Sequence, residues 1–343
     1  MYLVYRFILW VIVPLVFTCR ASKLSKKYNK SGNAWAVVTG TTSGIGSGFA
    51  RVLVKNGFNL MMIGRNETKL REMKESLLKD NSETGETELV VTDPRVVKKG
   101  FKEMMNGGMM ESSLLKESKG SKPKIEFMVM DLSSPVKISS DNNFATFVKN
   151  NEVSVLVNNA GVNTDYPKLF SNNTYEEIRS IVEVNCESLV VLTRAVVPSM
   201  IERRNGCVIN ISSLFGQIGA PLLSVYSGTK NFIDAFSSSL GAELAGSGVS
   251  VFNSLPGFVV SNMSKIRRTS LTVISADDCA YTVLGQVAGG WLSCATPHWS
   301  HSLIGWLLMD VVPEPIRMRL LRYVNTSTNR AAVRKLERAQ KQE

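Results

Sequence analysis

Tyr226 and Lys230 stand four residues apart in VYSGTKNFIDAF, where an apolar-periodic run begins. Four residues is one helical turn, so a phenol and an amine share a face there. A free tyrosine titrates near pH 10, too high for easy proton exchange at neutral pH, and a neighbouring ammonium favours the phenolate. The pair reads as an acid/base group tuned by its neighbour. A Tyr-x-x-x-Lys spacing alone is common, but here other polar groups accompany it. Ser212 and Ser213, in INISSLFG, end an apolar run, where a hydroxyl can hydrogen-bond a carbonyl oxygen as charge develops on it. Asn158 ends another run in NNAG, and Asn185 interrupts a long helical pattern in VEVNCESL, although asparagine is a poor helix former.

A second constellation lies nearer the start. VVTGTTSGIGSG sets Gly40, Gly44 and Gly46 between an apolar run and a helical pattern. Glycine allows a tight turn and lets backbone N–H groups approach a pyrophosphate, whose charge a helix N-terminus stabilises. Gly40, Thr42, Ser43, Gly44, Ile45 and Gly46 are therefore expected to line a dinucleotide. NAD would call for a carboxylate at the end of the second strand, to bind the ribose 2′-hydroxyl. MMIGRNETKL offers Arg65 there and no carboxylate until Glu67, which favours the 2′-phosphate of NADP(H).

These residues need a scaffold, and the pattern supplies one. Short apolar runs at 36–39, 58–63, 125–130, 153–158, 207–212 and 249–254 read as strands, with helices at 46–56, 175–204 and 226–245. Continuous apolar strands alternating with helices imply a Rossmann-type α/β fold, a doubly wound parallel sheet with ligands at the carboxyl ends of its strands. The catalytic domain is expected at 34–264 and a substrate- or membrane-proximal extension at 265–343. Residues 80–124, rich in Ser, Gly, Lys and Glu, read as a mobile insertion.

The chain has 343 residues and a net charge of +11. That charge excludes little by itself, but no nucleic-acid motif or aromatic-basic interleaving accompanies it. It clusters instead in 21–33, a basic linker after the apolar residues 1–20, and in the C-terminal tail, an arrangement suited to an anionic membrane surface. Residues 1–20 read as an uncleaved membrane anchor rather than a signal peptide, because no small-x-small cleavage site follows. The lysines after it place the remainder in the cytosol. Five scattered cysteines without CxxC spacing fit a reduced compartment. The two histidines, His298 and His301, lack acidic or thiol companions, so no metal site is expected.

TGTTSGIG, NNAG, Asn185, Ser213 and YSGTK together, in this order and spacing, resemble the short-chain dehydrogenase/reductase family over about 34–264. The resemblance implies that Tyr226 is the proton donor, that Lys230 binds the nicotinamide ribose and tunes Tyr226, and that Asn185 holds a water joining Lys230 to solvent. It selects Ser213 over Ser212 to position the carbonyl, since the family serine lies thirteen residues before the tyrosine. It also implies that Asp131 contacts the adenine, that Asn158 lines the cofactor, and that LPGFVVSNM, with Val259 and Ser261, covers the nicotinamide. FNLMMIGRNETKL, SNMSKIRRTSL and the tail from Thr296 to Leu321 resemble, more narrowly, the group of membrane-bound very-long-chain 3-oxoacyl-CoA reductases and 17β-hydroxysteroid dehydrogenases, the fungal acyl-CoA enzymes above all. That narrower resemblance implies NADPH-dependent reduction of a 3-oxoacyl-CoA at the endoplasmic reticulum membrane, with other elongation enzymes as candidate partners. A ketosteroid substrate and a catalytically silent NADPH-binding scaffold are the alternatives. Two departures stand out: the length of 80–124, and Pro256-Gly257 where the group often has an aromatic after the proline.

Overall fold

The computed structural model describes residues 1–18, 21–83 and 122–340. The expected insertion therefore lies almost wholly outside the described residues. Six strands run β1 (Trp35–Thr39), β2 (Asn59–Gly64), β3 (Ile125–Val129), β4 (Val153–Asn158), β5 (Gly206–Ile211) and β6 (Val249–Ser254). Two short strands, β7 (Phe258–Val259) and β8 (Val273–Ile274), pair with each other, and β9 (Cys294–Ala295) follows. The main sheet is seven-stranded and parallel, in the order β3-β2-β1-β4-β5-β6-β9. Its order reverses between β1 and β4, the switch point at which such sheets bind ligands.

Both faces of the sheet are covered, and its central strands β1, β2, β4 and β5 are buried at every position and largely apolar. Val38, Met62 and Ile209 face the helices Gly44–Lys55, Glu67–Glu83 and Ala276–Gly289. Val37, Ile63 and Val208 face the other way, with Phe144 of Asn142–Asn150 and Leu192 and Val196 of Ser188–Glu202.

Three segments depart from expectation. The basic linker is a packed element: Lys23–Tyr28 is helical, Leu24 and Tyr28 are buried, and the Tyr28 hydroxyl lies 2.7 Å from Ser250 Oγ. Its lysines alternate with apolar anchors, and a net-charge reading overlooks those anchors. The catalytic domain does not stop at 264, because β8, the helix Ala276–Gly289 and β9 complete the same body.

The N-terminal anchor is the third. Residues 2–17 form one continuous helix with a π-turn at Ile8–Ile12, 16 residues in all. That is about 24 Å of rise, against about 30 Å of bilayer hydrocarbon. Among the described residues no helix is long and apolar enough to cross a membrane. The helix packs on the C-terminal segment Trp299–Val311 instead. Arg6 Nε donates to Asp310 Oδ1 at 2.9 Å, and Phe7 meets the edge of Trp306 with centroids 5.0 Å apart.

Candidate active site

The glycine turn is tied to the neighbouring strand before any ligand arrives. Thr39 Oγ1 at the end of β1 accepts the N–H groups of Asn159 (3.0 Å) and Ala160 (2.9 Å), and Asn159 Nδ2 donates to the Thr39 carbonyl at 2.9 Å. Gly40 (φ +69°) and Gly44 (φ +57°) adopt left-handed backbone. Gly46 is required by space: a Cβ there would sit 2.3 Å from the Gly40 carbonyl oxygen. The helix from Gly44 starts with no side-chain cap from Ser43 and no acidic residue in its first turn. Its leading N–H groups stay available to an anion, as a diphosphate requires. Thr42, Ser43 and Ile45 lie half-buried along this turn, and Ile45 packs on Val259, Ile274 and Cys279. Ser261 closes over it, its Cβ 2.8 Å from where a Gly44 Cβ would be.

At the other end, Arg65 directly follows β2 and Asp131 follows β3, both exposed. The Ser133 N–H and hydroxyl hold the Asp131 carboxyl below its usual range, and the charges of Arg65 and Lys137 add to this. A cation with no carboxylate before Glu67 fits a 2′-phosphate. Asn158 lies elsewhere. Its Nδ2 donates to Asn210 Oδ1 (2.8 Å) and Thr193 Oγ1 (2.9 Å) inside the sheet, so its side chain joins β4 to β5. The second asparagine of the motif, Asn159, is the one against the glycine turn.

Asn185, Ser213, Tyr226 and Lys230 are all buried, at the carboxyl ends of β4 and β5. Asn185 sits in a π-turn, Glu183–Glu187, set into an otherwise α-helical rod. Such a turn re-aims side chains and is frequent at functional sites. Here it lets Asn185 Oδ1 accept the Val162 N–H (2.8 Å) while Nδ2 donates to the Val162 carbonyl (3.0 Å) and to Thr229 Oγ1 (3.0 Å). Gly161 lies between Asn185 and Lys230: a Cβ on it would be 3.3 Å from Asn185 Oδ1 and 3.5 Å from Lys230 Nζ.

Lys230 Nζ donates to the Ile211 carbonyl at 2.7 Å and lies 5.7 Å from the Tyr226 ring centre. Burial lowers its pKa to about 8, against the opposing pull of Cys186 and Asp234. Burial raises the Tyr226 phenol to about 12, partly offset by its hydrogen bond with Ser213. The expected lowering by Lys230 is thus reversed, because desolvation of the phenolate outweighs an ammonium turned toward a carbonyl. Cys186 is a buried thiol pushed up to about 11, a packing residue rather than a nucleophile.

Two residues outside the glycine-turn and catalytic motifs shape the cover. Buried His301 accepts the Gly257 N–H at Nδ1 (3.2 Å) and donates from Nε2 to the Thr272 carbonyl (3.2 Å), so it clasps both ends of the β7–β8 segment. A Cβ at 257 would come within 2.7 Å of its Cδ2, which accounts for glycine after the proline. Lys265, at φ +57°, donates from Nζ to the Asp165 carbonyl and ties the same segment to the loop after β4. Its sequence signal is the segment SNMSKIRRTSL, which carries a likeness but assigns this lysine no role. The two histidines form no metal cluster; among the described residues there is none.

A family model described as short chain dehydrogenase matches residues 34–107 and 94–271. A very-long-chain 3-oxoacyl-CoA reductase from Coprinopsis cinerea is 32% identical, over 92% of this chain and 83% of that protein. Another of that name from Aspergillus terreus is 29% identical, over 98% and 86%. Among solved structures, a 7β-hydroxysteroid dehydrogenase shares the fold at a TM-score of 0.65 and 16% identity, covering 87% of this chain and 98% of that one. A short-chain dehydrogenase from Sphingobium yanoikuyae in complex with NADPH has a TM-score of 0.56 and 21% identity, covering 77% and 87%.

Proposed function

The chain belongs to the short-chain dehydrogenase family and is an NAD(P)-dependent oxidoreductase, and from that premise we propose that it reduces very-long-chain 3-oxoacyl-CoA to the 3-hydroxyacyl-CoA with NADPH, in fatty acid elongation at the endoplasmic reticulum membrane. One observation carries the substrate class: the likeness to reductases of that name spans 92% of the chain, so it runs well past residue 271, where the family match ends. It takes in the His301 helix, which clasps the β7–β8 segment.

Bound NADPH would supply a hydride to the 3-oxo carbon. The rest is work for this chain. Ser213 hydrogen-bonds the carbonyl oxygen, Tyr226 hands that oxygen its proton, and Lys230 as an ammonium answers the charge left on the phenol. Asn185, through Thr229 and Val162, fixes the turn on which Lys230 and Tyr226 stand. Arg65 is the residue for the 2′-phosphate.

A membrane setting is supported by apolar surface rather than by a span. Leu3, Val4, Ile8 and Ile12 of the first helix are exposed, as are Leu307 and Val311 of the segment it packs on. Ile316 and Leu320 of the C-terminal helix Glu314–Gln340 are exposed as well. Such a helix pair lies in an interface. The test is NADPH oxidation by the detergent-solubilised chain with 3-oxopalmitoyl-CoA, with a 17-ketosteroid, and with Tyr226→Phe. Acyl-CoA turnover reduced by about 10²–10⁴ in Tyr226→Phe, with NADPH binding retained, is the expected result. Steroid turnover without acyl-CoA turnover would overturn the substrate.

A further inference from the structure

Beside the glycine turn lies an open hollow of about 600 Å³ that the catalytic residues do not line. Its walls include Gly44, Arg51, Arg267, Arg268, Ser275 and Asp277. Arg51 is already answered: its Nε and Nη2 donate to Asp277 Oδ1 at 2.8 and 2.6 Å. Arg267 and Arg268 are exposed and carry no ion pair or hydrogen bond among the described residues. Three cations and one carboxylate leave an excess of two positive charges in one concavity. Two unpaired guanidiniums there are a standing invitation to phosphate, which they bind in a planar, bidentate way.

The position of this hollow matters as much as its charge. The segment between β7 and β8 that carries both arginines is held at several points: Ser261 against Gly44, Lys265 on the Asp165 carbonyl, and its two ends on His301. Lys265 keeps a left-handed backbone that disfavours a residue with a Cβ, so the clasp is strong enough to fix the loop. Arg267 and Arg268 therefore stand on the held β7–β8 segment, beside the glycine turn. Arg65, which follows β2 and is read here as the 2′-phosphate residue, is not among the walls of the hollow.

We propose that this hollow receives the phosphorylated nucleotide end of the acyl carrier, with Arg267 and Arg268 holding its phosphates while the acyl group and the thioester reach inward to Tyr226. A volume of this size suits a nucleotide. The inference rests on the acyl-CoA reading above and adds to it the site of the carrier's head. It gives the enzyme a grip on a part of the substrate common to every acyl length, leaving the cleft free to accept different tails.

The experiment compares 3-oxopalmitoyl-CoA with the matching 3-oxopalmitoyl pantetheine thioester, which lacks the nucleotide, using full-length wild type and Arg267→Gln/Arg268→Gln. NADPH affinity is followed by fluorescence as a check on folding and on the cofactor site. Wild type should prefer the CoA thioester in KM, and the double variant should reduce that preference about tenfold, with NADPH affinity kept. An unchanged preference, with both thioesters still reduced, overturns the inference and leaves the reductase standing. Weakened NADPH binding in place of a lost preference would assign the arginines to the cofactor's own pyrophosphate, and also overturns it. If wild type reduces neither thioester, the acyl-CoA reading falls, and this inference with it.

Discussion

His301 should make the stability of this enzyme pH-dependent in a way that one substitution removes. Burial, with His298 nearby, lowers its pKa from the ordinary 6.5 to about 4. The geometry gives a local reason as well: Nδ1 must be bare to accept the Gly257 N–H, and a proton placed there would face another donor. Because the unfolded chain takes up this proton near pH 6.5 and the folded one does not until about pH 4, stability falls as pH drops through that window and levels off below it. At about 1.36 kcal/mol per pH unit, moving from pH 6.5 to 5 removes roughly 2 kcal/mol.

The assay is chemical denaturation of wild type and His301→Gln between pH 7.5 and 5, read as the difference between the two, so that titrating carboxylates common to both cancel. The variant should start lower, by about 1–3 kcal/mol for the broken clasp. The two curves should then converge toward pH 5. The chain has only two histidines, so imidazole resonances provide a direct check. Parallel pH curves, or a His301 resonance titrating near pH 6.5, would refute the reasoning.

Other consequences are as specific. Lys230 loses its proton at about 8 while Tyr226 keeps its own until about 12, so kcat/KM for reduction should fall above pH 8, and Lys230→Arg should move that limb upward. Arg65→Ala should raise the KM for NADPH about tenfold and change that for NADH far less, as steady-state kinetics with each cofactor will show. Arg6→Met leaves the Asp310 carboxyl buried with no cation. It should loosen the N-terminal helix by about 1–2 kcal/mol, with faster proteolysis inside residues 2–17, and adding Asp310→Asn should restore part of the loss.

What the sequence displays well is whatever repeats with the period of its element. The central strands of the main sheet are buried on both faces, so their sequences are dominated by apolar residues, and β4 and β6 fall where the runs predict. The glycine turn is equally visible, because a left-handed backbone and a 2.3 Å clearance leave no other residue possible. Contacts between distant segments leave no such mark. Asn158 and Asn159 are adjacent and chemically identical, yet one faces the sheet interior and the other the turn; strand alternation decides, and the motif alone does not. His301 has no ligand partners in the sequence because its partners are two backbone groups, at 257 and 272. The first apolar segment shows its hydropathy in the sequence but not its contacts, since one side of the helix meets Asp310 and Trp306, some 300 residues away.

The tyrosine-lysine pair shows best how burial changes a correct-looking local argument. Two residues one turn apart suggest a lysine that makes a phenol acidic. In the folded chain both are desolvated, and desolvation acts on them in opposite senses: it keeps the phenol protonated and makes the ammonium easier to discharge. A phenol that holds its proton is what reduction needs, since the proton must be present when charge appears on the substrate oxygen. The same phenol is a poor base for the reverse reaction. Lys230 then acts less on the resting phenol than on the phenolate left after transfer, whose charge it can answer only while it remains an ammonium. Burial thus keeps the proton donor of reduction loaded, and Lys230, which discharges before Tyr226, sets the alkaline limit of that step.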